Sequence, residues 1–285
     1  MKLLLRLCFI AGLIPLSTCK KYQPATPAFF ITPGKTGVVV TPLQGSSSSK
    51  ITDLWLDVNG QFQGVFPIEN KMPIVSGGKA VVINVYAGIK NNGISDTRIF
   101  YPFFDYLTID TMVASGKSIS RNFTFTYKPS TTFTLTEDFD HVGSQFKKSD
   151  ISADTAVRII VAKNADSFEN KSMQLLMSVN SAVGPGRIET FNSYGLPQGN
   201  ANVYLELDYK CNTALEVGVI DDNSALQKAI TLNPRADWNK IYIQLATAIN
   251  NSPNSTGYKV YFQIFKADAN SAPAAFLDNI KVLFL

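Results

Sequence analysis

Along most of the chain, apolar residues recur at every second position, and the three-to-four spacing of an amphipathic helix is nearly absent. Over 51–58, Leu54, Leu56 and Val58 fall on one face and Asp53, Trp55 and Asp57 on the other. Asn59-Gly60 follows, a dipeptide whose members both tolerate positive φ and so close a two-residue hairpin. A returning strand is predicted over 61–66, with further strands over 79–87, 98–104, 106–113 and 118–127. Together they predict a small sandwich spanning 51–128, about the seven short strands of an immunoglobulin-like module.

Lys128-Pro129-Ser130-Thr131-Thr132 reads as a linker, and alternation is cleaner beyond it. Val203, Leu205, Leu207 and Tyr209 oppose Tyr204, Glu206 and Asp208. Leu215, Val217 and Val219 oppose Glu216 and Gly218. Tyr258, Val260, Phe262 and Ile264 oppose Lys259, Tyr261 and Gln263, and a last strand runs over 276–285. Residues 133–285 therefore form a second all-β domain, long enough to bury a core without staples. Before residue 51, Pro24, Pro27, Pro33 and Pro42 and the run Ser46 to Ser49 predict a tether over 19–50, in which Val38 to Val40 is the one candidate strand.

The N-terminus has a different pattern. Lys2 and Arg6 precede an apolar run over 3–16 broken by Gly12 and Pro15, and Leu16-Ser17-Thr18-Cys19 closes it. This reads as a secretory signal, too short and interrupted for a spanning helix. Its ending resembles the lipobox of bacterial lipoproteins. That resemblance implies a signal over 1–18 cleaved just before Cys19, acylation of Cys19, a membrane held through the lipid, and an outer-membrane lipoprotein of the cell envelope. Lys20-Lys21-Tyr22 lacks the acidic residues that follow the Cys in some surface lipoproteins, which leaves the periplasmic and surface-exposed sides both open. Of three cysteines, Cys8 leaves with the signal and Cys19 is acylated, so Cys211 alone stays a thiol and no intramolecular disulfide forms. It reads as a small buried apolar residue at a strand end. The formal charge of +4 falls by two with the signal, and no cationic cluster points to nucleic acid.

Enzyme chemistry finds little to work with. The one histidine, His141, has no second His or paired Cys for zinc. No Gly-x-Ser-x-Gly elbow occurs. Nothing in the spacing of Glu137, Asp138, Asp140, Glu206 and Asp208 selects a glycosidase pair.

The stretch from Val58 to Pro67, with Gly77-Gly78-Lys79 and its apolar strand, resembles transthyretin-like surface modules. Strands opening at Leu135, passing through Val203 to Tyr209 and closing on Leu277-Asp278-Asn279-Ile280 resemble galactose-binding-like jelly rolls of carbohydrate-binding modules and exported Bacteroidetes proteins. The fold expected is thus all-β, an N-terminal Ig/transthyretin-like sandwich and a C-terminal jelly roll. The second resemblance implies a non-enzymatic, glycan-binding accessory role. It also implies a structural Ca²⁺ where first and last strands meet, with Glu137, Asp138, Asp140 and Asp278 as oxygen ligands. Glycan recognition needs aromatic platforms beside hydrogen-bonding groups. Tyr204, Glu206, Tyr242, Tyr261 and Gln263, together with Glu216, Gln244 and Lys259, predict such an outward face if their strands are adjacent. Trp238, Tyr194 and Phe191 are placed at its rim. Since a fold does not set a function, an alternative stands: a structural or adhesive component docking another envelope protein through Trp55, Tyr101 and Phe103 of the first sandwich.

Overall fold

The computed structural model of the protein describes residues 26–151 and 157–285; the expected signal and Cys19 lie outside them. The N-terminal sandwich holds β1 (Ala28–Val38), β2 (Asp53–Val58), β3 (Gln61–Pro67), β4 (Met72–Val75), β5 (Val81–Lys90), β6 (Arg98–Phe100), β7 (Leu107–Thr111) and β8 (Ser118–Phe125). One sheet has the order β4-β1-β8; the other runs β3-β2-β5-β6, with β7 also paired to β5. The β2–β3 turn forms as predicted, with Asn59 and Gly60 both at positive φ.

Part of the expected tether is instead a core strand. In β1, Phe29 and Ile31 are fully buried, and the strand lies between β4 and β8. Pro33 is tolerated because the register of β1 against β8 shifts between Pro33 and Thr36. A proline costs a strand little where the ladder is already interrupted.

The C-terminal domain comprises β9 (Thr132–Glu137), β10 (Phe146–Lys148), β11 (Val157–Ala162), β12 (Ser172–Met177), β13 (Gly184–Thr190), β14 (Val203–Cys211), β15 (Leu215–Asp221), β16 (Leu226–Leu232), β17 (Arg235–Gln244), the short helix α1 (Ala246–Asn250), β18 (Tyr258–Lys266) and β19 (Ala274–Phe284). One sheet runs β11-β12-β19-β14-β17, with β9 on β19; the other runs β10-β13-β18-β15-β16. The alternation read from the sequence sends Val203, Leu205 and Leu207 of one sheet, and Val217, Val260 and Phe262 of the other, into one shared core. Cys211 is buried there as a free thiol, and burial pushes its pKa up.

The two domains share a second core. Tyr204 of β14, Tyr242 of β17 and Leu283 of β19 belong to the apolar cluster of the N-terminal sandwich, beside Tyr101, Phe103, Phe104 and Tyr127. Tyr101 lies 4.7 Å from Tyr242 and 5.6 Å from Tyr204, ring centre to ring centre. Within this junction the fully buried Glu206 accepts hydrogen bonds from the hydroxyls of Tyr101 (2.9 Å) and Tyr127 (2.7 Å). Lys240 Nζ stands 3.4 Å from its other oxygen. Lys281 donates to the carbonyl of Ser46 at 2.6 Å and lies over the Tyr127 ring. Burial, only partly offset by Glu206, pulls the Lys281 ammonium down to about 8.

Breaking such a buried charge set leaves Lys240 and two hydroxyls short of their acceptor. Glu206→Ala is expected to lower stability to urea by about 3 kcal/mol. Tyr101→Phe, which removes one of two donors and keeps the ring, should cost about 1 kcal/mol. Equal, negligible effects from both would show that the junction contributes nothing to folding.

Candidate functional site

The residues expected to share one outward glycan face are divided among three places. Tyr204, Glu206 and Tyr242 are 1%, 0% and 2% exposed, covered by the N-terminal sandwich. Gln244 borders the same junction, its backbone N–H donating to Asn92 Oδ1. Tyr261, Gln263, Glu216 and Lys259 lie on the other sheet, since β14 and β18 are not neighbours. The Tyr261 ring is buried there, and its hydroxyl donates to Glu216 Oε1 at 2.8 Å. Burial and that acceptor raise its pKa. Arg187 stands over the ring and donates to Gln263 Oε1. These groups therefore satisfy one another. Trp238 lies apart, edge-on to Phe168 and under the ammonium of Lys210. Of the expected rim residues, Phe191 is exposed beside Lys147, and Tyr194 is bridged to Tyr258. The single outward face is thus corrected: alternation assigns a side of a sheet, and here there are two sheets, one of them covered.

The expected calcium ligands are engaged by donors of the chain itself. Both oxygens of Glu137 accept backbone N–H groups, from Phe139 at 2.9 Å and Gln145 at 2.7 Å. Asp138, Asp140 and Asp278 line a cavity of about 50 Å³ with Glu169. Asp140 accepts from the backbone of Lys171, and Asp278 from the hydroxyl of Ser172. Among the described residues no three His, Cys, Asp or Glu side chains group as metal ligands. His141 is exposed and bonded to Asp138.

A stronger arrangement lies on the outer face of the β3-β2-β5-β6 sheet. Phe62, Trp55, Phe100, Tyr86 and Tyr106 form a continuous row in which successive ring centres are 5.2–5.8 Å apart. Phe62 is 64% exposed, Phe100 49% and Tyr106 48%. The strand pairs create the row: Trp55 is opposite Tyr86, and Tyr86 is one residue past the Val85–Leu107 pair that brings up Tyr106. Gly88 makes room for its anchor, since a Cβ there would lie 2.0 Å from Asp53 Oδ1 and 2.8 Å from Trp55 Nε1. The buried Asp53 carboxylate accepts from Trp55 Nε1 (2.8 Å), Thr52 Oγ1 (2.7 Å) and Arg98 (2.9 Å), which fixes the indole. Polar groups border the rings: Asn84 bonded to Thr108, and Asp57 capping the turn at Gly60.

Only Trp55 of this row is singled out by the sequence. The signal for Tyr86 is present, since it alternates with the buried Ile83 and Val85 in its strand, but joining it to Phe62, Phe100 and Tyr106 requires the strand order. Tyr101 and Phe103, the other residues expected to dock a partner, are buried in the junction between domains. Monomeric proteins rarely expose contiguous apolar patches of this kind without a use.

No protein-family model matches the chain, and no curated protein matches it. Solved structures similar to it include a family 29 carbohydrate-binding module complexed with cellulohexaose, at 9% identity and a TM-score of 0.35, covering 55% of this chain and 93% of that one. An arabinose-bound α-L-arabinofuranosidase is 14% identical with a TM-score of 0.40, over 52% of this chain and 25% of its own. An exo-β-agarase is 14% identical with a TM-score of 0.38, over 53% and 24%. Likeness at that level says nothing about ligand. The all-β, two-sandwich architecture stands on the strands themselves.

Among the described residues, Asp278 carries a carboxyl pushed up to about 7, by burial first and then by Asp208 and Asp140. Asp208 is its direct cross-strand partner, so two carboxylates face each other in the β14–β19 ladder. Between its unfolded value near 3.8 and its folded value near 7, the native state binds a proton that the unfolded chain has released. Stability therefore falls as pH rises through that window, by about 1 kcal/mol per pH unit, and the full cost is present above it. Asp278→Asn should flatten this slope and gain relative stability from acid to neutral pH in chemical denaturation. An unchanged slope would show that Asp278 does not hold the proton.

Proposed function

We propose that the protein is a non-catalytic, lipid-anchored protein of the bacterial cell envelope that binds polysaccharide through the aromatic row of its N-terminal sandwich. The observation that carries the reading is the row itself: five rings in sequence on an uncovered sheet face, with Asn84, Asp57, Arg98 and Thr108 beside them. A sugar ring presents an apolar C–H face to an aromatic side chain and hydroxyls to polar neighbours at its edge. A line of rings, tilted to one another except for the edge-on Trp55–Phe100 pair, suits an extended chain better than a single small molecule. Acylated Cys19 holds the protein to the membrane, and the jelly roll serves as the support to which the binding sandwich is fixed.

A second reading uses the same row as a docking face for another envelope protein. Exposed aromatics are also enriched at the centres of protein interfaces. The two differ in what competes: soluble oligosaccharide displaces a polysaccharide and leaves a protein partner in place.

Trp55→Ala and Phe100→Ala should each weaken binding of the full chain to polysaccharide by about tenfold in affinity electrophoresis and glycan arrays. Absence of binding to every glycan, with a protein captured by the wild type and lost from both variants, would replace the first reading by the second. For the anchor, Cys19→Ala should release the protein from membranes to the soluble fraction. A variant still processed and membrane-bound would end the lipoprotein reading.

A further inference from the structure

A groove of about 480 Å³ lies where the two domains meet. β5 ends at Lys90 and the turn after it carries Asn92, β17 opens with Arg235, and Lys50, Tyr209 and Asn239 complete the polar lining. Among the described residues no carboxylate lines it, and Lys50, Lys90 and Arg235 form no ion pair. Their partners are neutral: Lys50 Nζ donates to Asn239 Oδ1, and Lys90 Nζ reaches Ser95 Oγ at 3.4 Å. The fourth cation at the groove, Lys240, is already balanced by Glu206 at 3.4 Å and Asp208 at 3.7 Å.

Three cations facing one cavity repel each other. Burial first, then Arg235 and Lys90, hold the Lys50 ammonium below its usual range. An anion entering the groove relieves that repulsion, and low-dielectric walls strengthen its attraction. The remaining groups discriminate among anions. Asn92 Oδ1 is taken by the Gln244 N–H, which leaves its amide N–H groups to donate. The volume matches one small ligand, not an extended chain.

We propose that this groove binds a sugar acid, its carboxylate set among Lys50, Lys90 and Arg235 and its hydroxyls on the amides of Asn92 and Asn239. The site is separate from the aromatic row and independent of the reading based on it. It exists only when both sandwiches are joined, because each supplies part of the charge.

Glucuronate, glucose and inorganic phosphate, each titrated into the full chain and followed by nuclear magnetic resonance and calorimetry, test the proposal. Glucuronate should bind saturably, weaken as salt is added, and lose about tenfold in affinity on Arg235→Gln or Lys90→Gln. Lys79→Gln, an exposed charge change on a distant turn, should leave its affinity unaltered. Thermal melts of all three variants establish that each is folded. The proposal is overturned if glucuronate does not bind, if glucose binds equally well, or if the groove variants bind like the wild type. Displacement by phosphate at equal concentration would also overturn it, because the groove would then accept any anion.

Discussion

Glu206 stands on a sheet face that would meet water in an isolated jelly roll. In this protein the N-terminal sandwich covers it, and two tyrosine hydroxyls from that sandwich replace the water. Lys240 supplies the opposing charge from the neighbouring strand. A buried carboxylate is costly unless its charge and lone pairs find partners; here Oε1 takes both hydroxyls from the N-terminal sandwich, while Oε2 accepts no hydrogen bond and faces the Lys240 charge of its own domain. The junction is thus selective for one docked geometry: sliding the sandwiches apart by a few ångströms would take both tyrosine hydroxyls from Glu206 and the Ser46 carbonyl from Lys281 at once.

That constraint redistributes the surfaces available for recognition. With β14, β17 and β19 apolar on one side and covered on the other, the first sheet of the jelly roll has little open face near the junction. On the second sheet Tyr261 and Arg187 are themselves buried, and Arg187 with Gln263 and Tyr261 with Glu216 are hydrogen-bonded in pairs. What remains accessible lies at the edges of the joint and on the far face of the N-terminal sandwich. There the aromatic row is exposed because no third layer covers it, and its one indole, Trp55, is held by the buried Asp53. The cationic groove is a product of the joint itself, since neither domain alone brings Lys90 and Arg235 to one cavity.

The Asp208–Asp278 pair shows the same crowding. The closing strand β19 sits between β12 and β14, and the register shift near Asn279 sets two acidic side chains opposite each other. The resemblance to jelly-roll modules implies calcium at this place. In the folded chain Glu137 accepts two backbone amides and Asp278 the Ser172 hydroxyl, and burial beside Asp208 pushes the Asp278 carboxyl up to about 7.

Alternation by itself determined the all-β class, the inward sets from Val203 to Tyr209 and Tyr258 to Ile264, and the Asn59-Gly60 hairpin, because a period of two is a local property of a pleated strand. The basic-then-apolar run ending at Cys19, on which the proposed anchor rests, is equally local as a pattern. What alternation cannot carry is which strands are neighbours and what lies over a sheet's outer face. Tyr204 and Tyr261 have the same outward phase, yet one is buried by another domain and the other lies under Arg187 of its own sheet. Phe29 and Ile31 look like part of a proline-rich tether until β4 and β8 are placed beside them. Phe62, Tyr86, Phe100 and Tyr106 are scattered over 45 residues of sequence and become a row only through strand pairing. Phase along a strand is set by neighbouring residues; burial is set by contacts between residues far apart in the chain, and these only the tertiary structure decides.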